Sequence, residues 1–419
     1  MNPHLALLQA YPFEKLKKLF AGIQPNPDYK AISLGLGEPK HPTPQLIKDA
    51  FLANLDGLAN YPATLGSEPL RRAISRWLAQ RYQVPALDIQ HQILPVNGSR
   101  EALFSLTQAV VDPSKVSNGK PIVMCPNPFY QIYEGAALLA GAEPYFANAN
   151  PDKNFAPDYS SIPEEIWQRT QLIFVCSPGN PTGAVLTQAD WDELFALSDR
   201  YGFVIAADEC YSEIYFGDTA PLGSLSAAYS SGRLDYPRLV TLSSLSKRSN
   251  VPGMRSGFVA GDAAIMKQYL LYRTYHGSAM SPTVQAASVA AWEDEQHVID
   301  NRALYVKKFA QVTPVLAEVL DVKLPDAAFY LWAGVDKHIQ ISDTEFAQGL
   351  YRDYNVTVLP GSFLARDAHG TNPGNQRIRM ALVAEVEECM EAAQRIAAYT
   401  RKLINQQASH SHQTSKTSN

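Results

Sequence analysis

Short, nearly continuous apolar runs that turn polar at their C-terminal ends recur through the middle of the chain. They are PIVMCP (121–126), LIFVCSP (172–178), FVIAADE (203–209) and RLVTLSSLS (238–246). Strands of a parallel sheet buried on both faces have this texture. Between them lie stretches with helical spacing: SREALFSLTQAVV (99–111), FYQIYEGAALLAG (129–141) and TQADWDELFALSDRYG (187–202). The last opens on Thr187 as an N-cap and closes at Gly202. This alternation predicts βαβ units and an open, mostly parallel sheet. Ligands of such sheets sit beyond the C-terminal ends of the strands.

After residue 295 the pattern changes. It predicts a long helix from 295 to about 320, strand-like runs FYLWAGV (329–335), VTVLPG (356–361) and RIRMALV (377–383), and a helix over 384–405. The expected organisation is an α/β large domain over 44–295, with a mostly parallel central sheet, and a smaller α+β domain over 296–405. Residues 1–43, dotted with Pro25, Pro27, Pro39 and Pro42, are too short to fold alone and are expected to form an arm packed on the small domain. The polar stretch 406–419 is expected to be a disordered tail.

Composition narrows the class of protein. A length of 419 residues suits two domains, and 46% hydrophobic with 18% charged residues is enough for large cores. A net charge of −5 argues against nucleic acid or an acidic membrane surface as the main partner. No run approaches the roughly 18 apolar residues of a membrane span. The amphipathic N-terminus, carrying Glu14, has no signal-like segment. Cys125, Cys176, Cys210 and Cys389 lie far apart, with no C-x-x-C, and read as reduced thiols rather than zinc ligands. A cytoplasmic enzyme without a metal is the expectation.

Four segments carry the chemistry. In SSLSKRSNVPGMRSG (243–257), Lys247 follows an apolar strand, where partial desolvation lowers an amine's pKa and suits it to Schiff-base chemistry. Ser244, Ser246 and Arg255 offer two hydroxyls and a guanidinium fork for a phosphate dianion. In FVIAADECY, Asp208 ends a strand where an unpaired carboxylate is costly, so a protonated ring nitrogen would compensate it; Tyr211 follows three residues on. In VNGSREALFSL, Gly98 allows close approach, and Ser99 and Arg100 open a helix whose N–H groups favour an anion. In CSPGNPTG (176–183), prolines and glycines make a rigid turn that holds Asn180 at the sheet edge. Taken singly, each has a plainer reading: a basic Ser-rich loop, an Asp capping a turn, an ordinary helix start, an ordinary βα loop.

Taken in this order, S-x-S-K-(x)7-R, A-D-E-x-Y and S-P-x-N-P-T-G resemble the fold-type-I pyridoxal-phosphate-dependent aminotransferases, over residues 30–400. The resemblance implies pyridoxal 5′-phosphate as cofactor, with Lys247 as its Schiff-base lysine and as the base that moves the proton between Cα and C4′. It implies that Asp208 pairs with the pyridinium nitrogen and that Tyr211 and Asn180 bond the phenolic oxygen. Ser99, Arg100 (through its main chain), Ser244, Ser246 and Arg255 would cradle the phosphate, and Tyr130 would stack on the ring. Tyr61 would reach the phosphate of a partner subunit, which implies a homodimer. Arg379 would clamp the substrate α-carboxylate beside Gly37. One departure stands out: relatives carry G-A-F-Y where this chain has Ala327 in D-A-A-F-Y.

Within that family, MNPHLALLQAYPFEKL, LGLGEPKHPTP, SLSKRSNVPGMRSGF, PDAAFYLWA and RDYNVTVLPGSFLAR are similar to the proteobacterial succinyldiaminopimelate aminotransferases of lysine biosynthesis. That implies amino transfer from glutamate to N-succinyl-2-amino-6-oxopimelate. Distal carboxylates would need cations beyond Arg379, and Lys40, Arg273 and His276 lie in regions able to supply them. The alternatives are an aspartate, aromatic or kynurenine-type aminotransferase, a pyridoxal-phosphate β-lyase or synthase, and a regulator that keeps the fold.

Overall fold

The computed structural model describes residues 1–335 and 339–416. After β1 (Ile32–Ser33), seven strands form the central sheet: β2 (Ile93–Val96), β3 (Ile122–Asn127), β4 (Glu143–Asn148), β5 (Thr170–Cys176), β6 (Val204–Asp208), β7 (Leu239–Ser244) and β8 (Gly257–Gly261). Their order is β2-β8-β7-β6-β5-β3-β4. Only β8 runs antiparallel to its neighbours. The side-chain period of two is visible in burial. On β5, Leu172 and Phe174 enter one core while Ile173 and Val175 enter the other, and Ala206 on β6 faces away from Ile205 and Ala207.

The helices that cover the sheet arise where their ends are signalled. Thr187 caps the helix Gln188–Tyr201, accepting from Asp190 N while the Asp190 side chain answers Thr187 N, and Gly202 closes it with φ at 79°. The smaller domain holds a three-stranded antiparallel sheet of β9 (Tyr330–Gly334), β11 (Leu359–Pro360) and β12 (Arg377–Ala381), in the order β11-β12-β9. The long helices Gln296–Ala317 and Val386–Lys416 pack against each other beside it. β1 pairs in parallel with β10 (Val356–Thr357), and Ile32 and Leu34 join the core beneath. Among the described residues, no helix is long and apolar enough to cross a membrane.

Two expectations need correction. The arm does not lie on the small domain alone. Its first turn, Pro3–Leu7, packs on the large-domain helix Ile132–Leu139, with Leu8 beside Gly135 and His4 beside Gly141. Only the next helix, Pro12–Leu19, meets β11. The last helix also passes the expected boundary at 405 and runs to Lys416, with Gln407 bonding the Gln340 main chain in both directions. Residues 417–419 lie outside the described residues.

A buried polar chain ties the arm to both domains. His41 Nδ1 donates to Asn301 Oδ1 over 2.7 Å, and Asn250 Nδ2 donates to the same oxygen over 2.9 Å. On the other side of the ring, Lys308 Nζ lies 2.6 Å from His41 Nε2 and also reaches Val383 O. An ammonium can only donate, so Nε2 must accept and the imidazole must be neutral. Burial, reinforced by the Lys308 charge, holds the His41 pKa below its ordinary 6.5. The unfolded chain therefore takes up this proton first as pH falls, so the stabilisation is present above about 6.5 and is lost below it. His297, also held low by burial, acts in the same direction. Between about pH 7.5 and 5, the urea midpoint should fall, and His41→Gln should reduce that pH slope by up to one proton equivalent.

Candidate active site

The C-terminal ends of β5, β6 and β7 converge on a cavity of about 820 Å³. Each strand end delivers one element of chemistry. Asp208 closes β6, 5% exposed, and its register partner on β5 is Cys176. Its Oδ2 accepts from Tyr133 OH at 2.8 Å and its Oδ1 from Cys210 N at 3.4 Å. Burial raises its pKa, and the bonds from Cys210 and Tyr133 oppose that rise. Among the described residues, no lysine, arginine or histidine forms an ion pair with it. A buried carboxylate without a cation is an unfilled electrostatic demand.

Lys247 stands in the turn after β7, where Ser244 caps a short helix by accepting from Ser246 N. Its Nζ donates to Gly37 O at 2.7 Å and lies 5.2 Å from the centre of the Phe329 ring. Burial pushes its pKa down to about 8. Close by, Ser244 Oγ donates to Ser246 Oγ at 2.9 Å, and Arg255 Nη1 reaches Ser246 Oγ at 3.4 Å. Arg255 has no carboxylate partner among the described residues. Its guanidinium lies where a Gly98 side chain would be. Ser99, at the start of the helix Ser99–Val110, accepts from Cys210 Sγ at 3.0 Å.

The opposite wall belongs to the small domain and the arm. Arg379 on β12 is 4% exposed, donates from Nη1 to Asn180 Oδ1 at 3.0 Å and from Nη2 to Gly35 O at 2.9 Å, and keeps a buried Nε without an acceptor. The Ala327 replacement costs no backbone strain, since the left-handed residue of this loop is Ala328, with φ at 68°.

Of the residues singled out from sequence, Gly37, Ser99, Arg100, Tyr130, Asn180, Asp208, Tyr211, Ser244, Ser246, Lys247, Arg255 and Arg379 all line this one cavity. Tyr61 does not: it is fully exposed, away from the cavity of its own chain. Of the three extra cations, His276 lines the cavity. Arg273 is fully buried and spent on Glu101 at 2.8 Å, and exposed Lys40 lies 3.9 Å from Glu388. Sequence reasoning missed Tyr133, Tyr330 and the arm residues Tyr11 and Phe13. Only Tyr133 carried a usable signal, lying one helical turn after Tyr130.

The residues fit pyridoxal phosphate: an uncompensated carboxylate for a ring cation, an amine of lowered pKa, and a hydroxyl-and-arginine cradle without a carboxylate partner. Residues 29–396 match the family described as aminotransferase class I and II. The chain belongs to that family. It is a pyridoxal-phosphate-dependent aminotransferase of fold type I. The LL-diaminopimelate aminotransferase of Aquifex aeolicus is 30% identical over 400 residues, covering 94% of this chain and 98% of that protein. A solved aminotransferase structure from Neisseria meningitidis is 54% identical, with a TM-score of 0.91, covering 95% of this chain and 99% of its own. A probable N-succinyldiaminopimelate aminotransferase from Thermus thermophilus is 25% identical, with a TM-score of 0.80 over 93% of this chain and 98% of its own.

Two outcomes follow for the aminotransferase. Gly98 has φ 85° and ψ 155°, a region that strains any other residue by about 1–3 kcal/mol. Gly98→Ala should lower the melting temperature and, by displacing Arg255, make the protein lose cofactor on dialysis faster than wild type. Because Lys247 titrates near 8, covalent uptake of pyridoxal phosphate by the cofactor-free protein should rise with pH up to about 8 and then level. A rate still climbing toward 10.5 would contradict the burial argument.

Proposed function

We propose that this aminotransferase moves the amino group of glutamate to N-succinyl-2-amino-6-oxopimelate, giving N-succinyl-LL-2,6-diaminopimelate and 2-oxoglutarate. One observation carries the reading: all five stretches similar to the succinyldiaminopimelate enzymes contribute cavity walls. They supply Tyr11 and Phe13, Leu36 and Gly37, Lys247 and Arg255, Tyr330, and Leu359 and Leu364 respectively. The Arg100 side chain supports it too, since it faces the cavity with Tyr130 OH as acceptor and no carboxylate partner among the described residues. A guanidinium free of carboxylate suits an anionic far end of a long substrate.

In this reading, bound pyridoxal phosphate supplies an electron sink for the charge that develops at the substrate Cα. Lys247 would hold the cofactor, and its amine, neutral once released, would be the base that takes the proton from the substrate Cα. Asp208 keeps the ring nitrogen protonated. Asn180, its oxygen engaged by Arg379, donates with Tyr211 to the ring oxygen. Ser99, the Arg100 main chain, Ser244, Ser246 and Arg255 grip the phosphate, and Tyr130 covers the ring. Arg379 binds the α-carboxylate beside Gly37, where no side chain intervenes. The active form is a cytoplasmic homodimer in which Tyr61 serves the partner subunit's phosphate. The exposed apolar side chains Leu52, Leu55, Leu58 and Tyr61, close together in sequence, support that assembly.

A second reading, free LL-diaminopimelate as the donor, is favoured by the names of the curated relatives. One measurement separates them: the single-turnover absorbance change of the loaded enzyme with each amino donor at matched concentration. Glutamate and N-succinyl-LL-diaminopimelate should react fastest, N-acetylornithine more slowly, and aspartate, alanine and phenylalanine slowest, because remote contacts supply the binding energy. If aspartate or an aromatic donor outruns the succinylated one by about tenfold, roughly 1.4 kcal/mol, the lysine-pathway reading fails. If LL-diaminopimelate does so, the second reading replaces the first.

A further inference from the structure

One side chain without a role in the preceding reading touches both halves of the site. Tyr330, on β9 of the small domain, is 2% exposed and lines the cavity. Its hydroxyl lies 2.9 Å from the hydroxyl of Tyr211, which belongs to the large domain. The face of its ring carries the Arg379 guanidinium, whose central carbon is 4.4 Å from the ring centroid. A side chain at Gly37 would overlap the Tyr330 hydroxyl, so the glycine beside the substrate carboxylate also makes room for this phenol. The main chain holds the two tyrosines in step. Ala328 N donates to Ile214 O at 2.8 Å, and Ala327 bridges to Tyr215. Phe329 packs edge-on against the Tyr211 ring at 5.3 Å.

We propose that Tyr330 is a positioning residue that sets the Tyr211 hydroxyl and the Arg379 guanidinium as one unit across the two domains. A phenol has one proton to donate and lone pairs to accept with. If Tyr330 donates to Tyr211, then Tyr211 keeps its own proton for the cofactor and becomes a stronger donor through polarisation of the chain. Burial raises the pKa of both phenols and the Arg379 charge counters it at both, while the guanidinium lies directly on the Tyr330 ring face, which favours Tyr330 as the donor. The same ring, fixed by that bond, keeps Arg379 aimed with its Nε open. A buried phenol with no such duty would be better replaced by phenylalanine, which fills the same volume without a hydroxyl to desolvate.

The inference rests on Tyr211 meeting the cofactor and Arg379 the carboxylate, and the test separates the two failures. In the holoenzyme, two quantities are read: the pH midpoint of the bound cofactor's visible absorbance, and the affinity for succinate, a dicarboxylate with no amino or oxo group to react. Tyr330→Phe should raise the midpoint by about half a pH unit, since a weaker bond from Tyr211 disfavours the deprotonated form, and should leave succinate binding within about twofold. Tyr330→Leu, which removes the ring as well, should also weaken succinate binding by about fivefold or more, within the range of a cation–π contact. Tyr330→Phe added to Tyr211→Phe should move the midpoint no further than Tyr211→Phe alone. A midpoint that moves in Tyr211→Phe but not in Tyr330→Phe overturns the coupling alone, as does an additive double variant. A midpoint unmoved by Tyr211→Phe overturns the assignment of Tyr211 and the coupling with it.

Discussion

A carboxylate at the end of a buried strand, with no ion-pair partner among the described residues, sets the terms for the rest of this structure. Asp208 is held by the Tyr133 hydroxyl and the Cys210 main chain, and burial still raises its pKa. Its two hydrogen bonds favour the charged form and burial disfavours it, so a cationic ring in the cavity in front of it would stabilise the carboxylate further. The neighbouring strand ends share this geometry, because parallel strands all finish on the same side. Asp208, Asn180 and Lys247 therefore meet at one edge although their segments are separate in sequence.

The domains meet through the site itself. Lys247 bonds Gly37 of the arm, Arg379 bonds Asn180, and Tyr330 bonds Tyr211. Behind these contacts, the His41, Asn301, Asn250 and Lys308 chain links the arm and the long helix to the segment just after Lys247. A shift of the small domain would alter the carboxylate end and the cofactor end together. The arm adds Tyr11 and Phe13 to the cavity wall because its first turn lies on the large domain and its helix on β11.

Much of the fold was legible because burial on both faces leaves a plain signature. The runs at 121–126, 172–178, 203–209 and 238–246 became β3, β5, β6 and β7, and the helix starting after Thr187 has both of the caps its sequence advertises. The path of the arm was not legible, since it depends on contacts with a helix more than a hundred residues away in sequence. The end of the last helix was not legible, since its polar sequence past 405 shows no apolar face and the Gln407 contact with Gln340 joins segments distant in sequence.

The sequence by itself determined which chemistry the protein carries. Lys247, Asp208 and Asn180 each sit at or just after the end of a strand, so each is placed by a short segment of local residues. Tertiary structure alone decided what those residues face. Tyr330 against Tyr211, Arg379 against Asn180, and the withdrawal of Arg273 into a pair with Glu101 are contacts between distant segments. Such contacts depend on how two domains pack, a property of the whole core that no single stretch of sequence encodes.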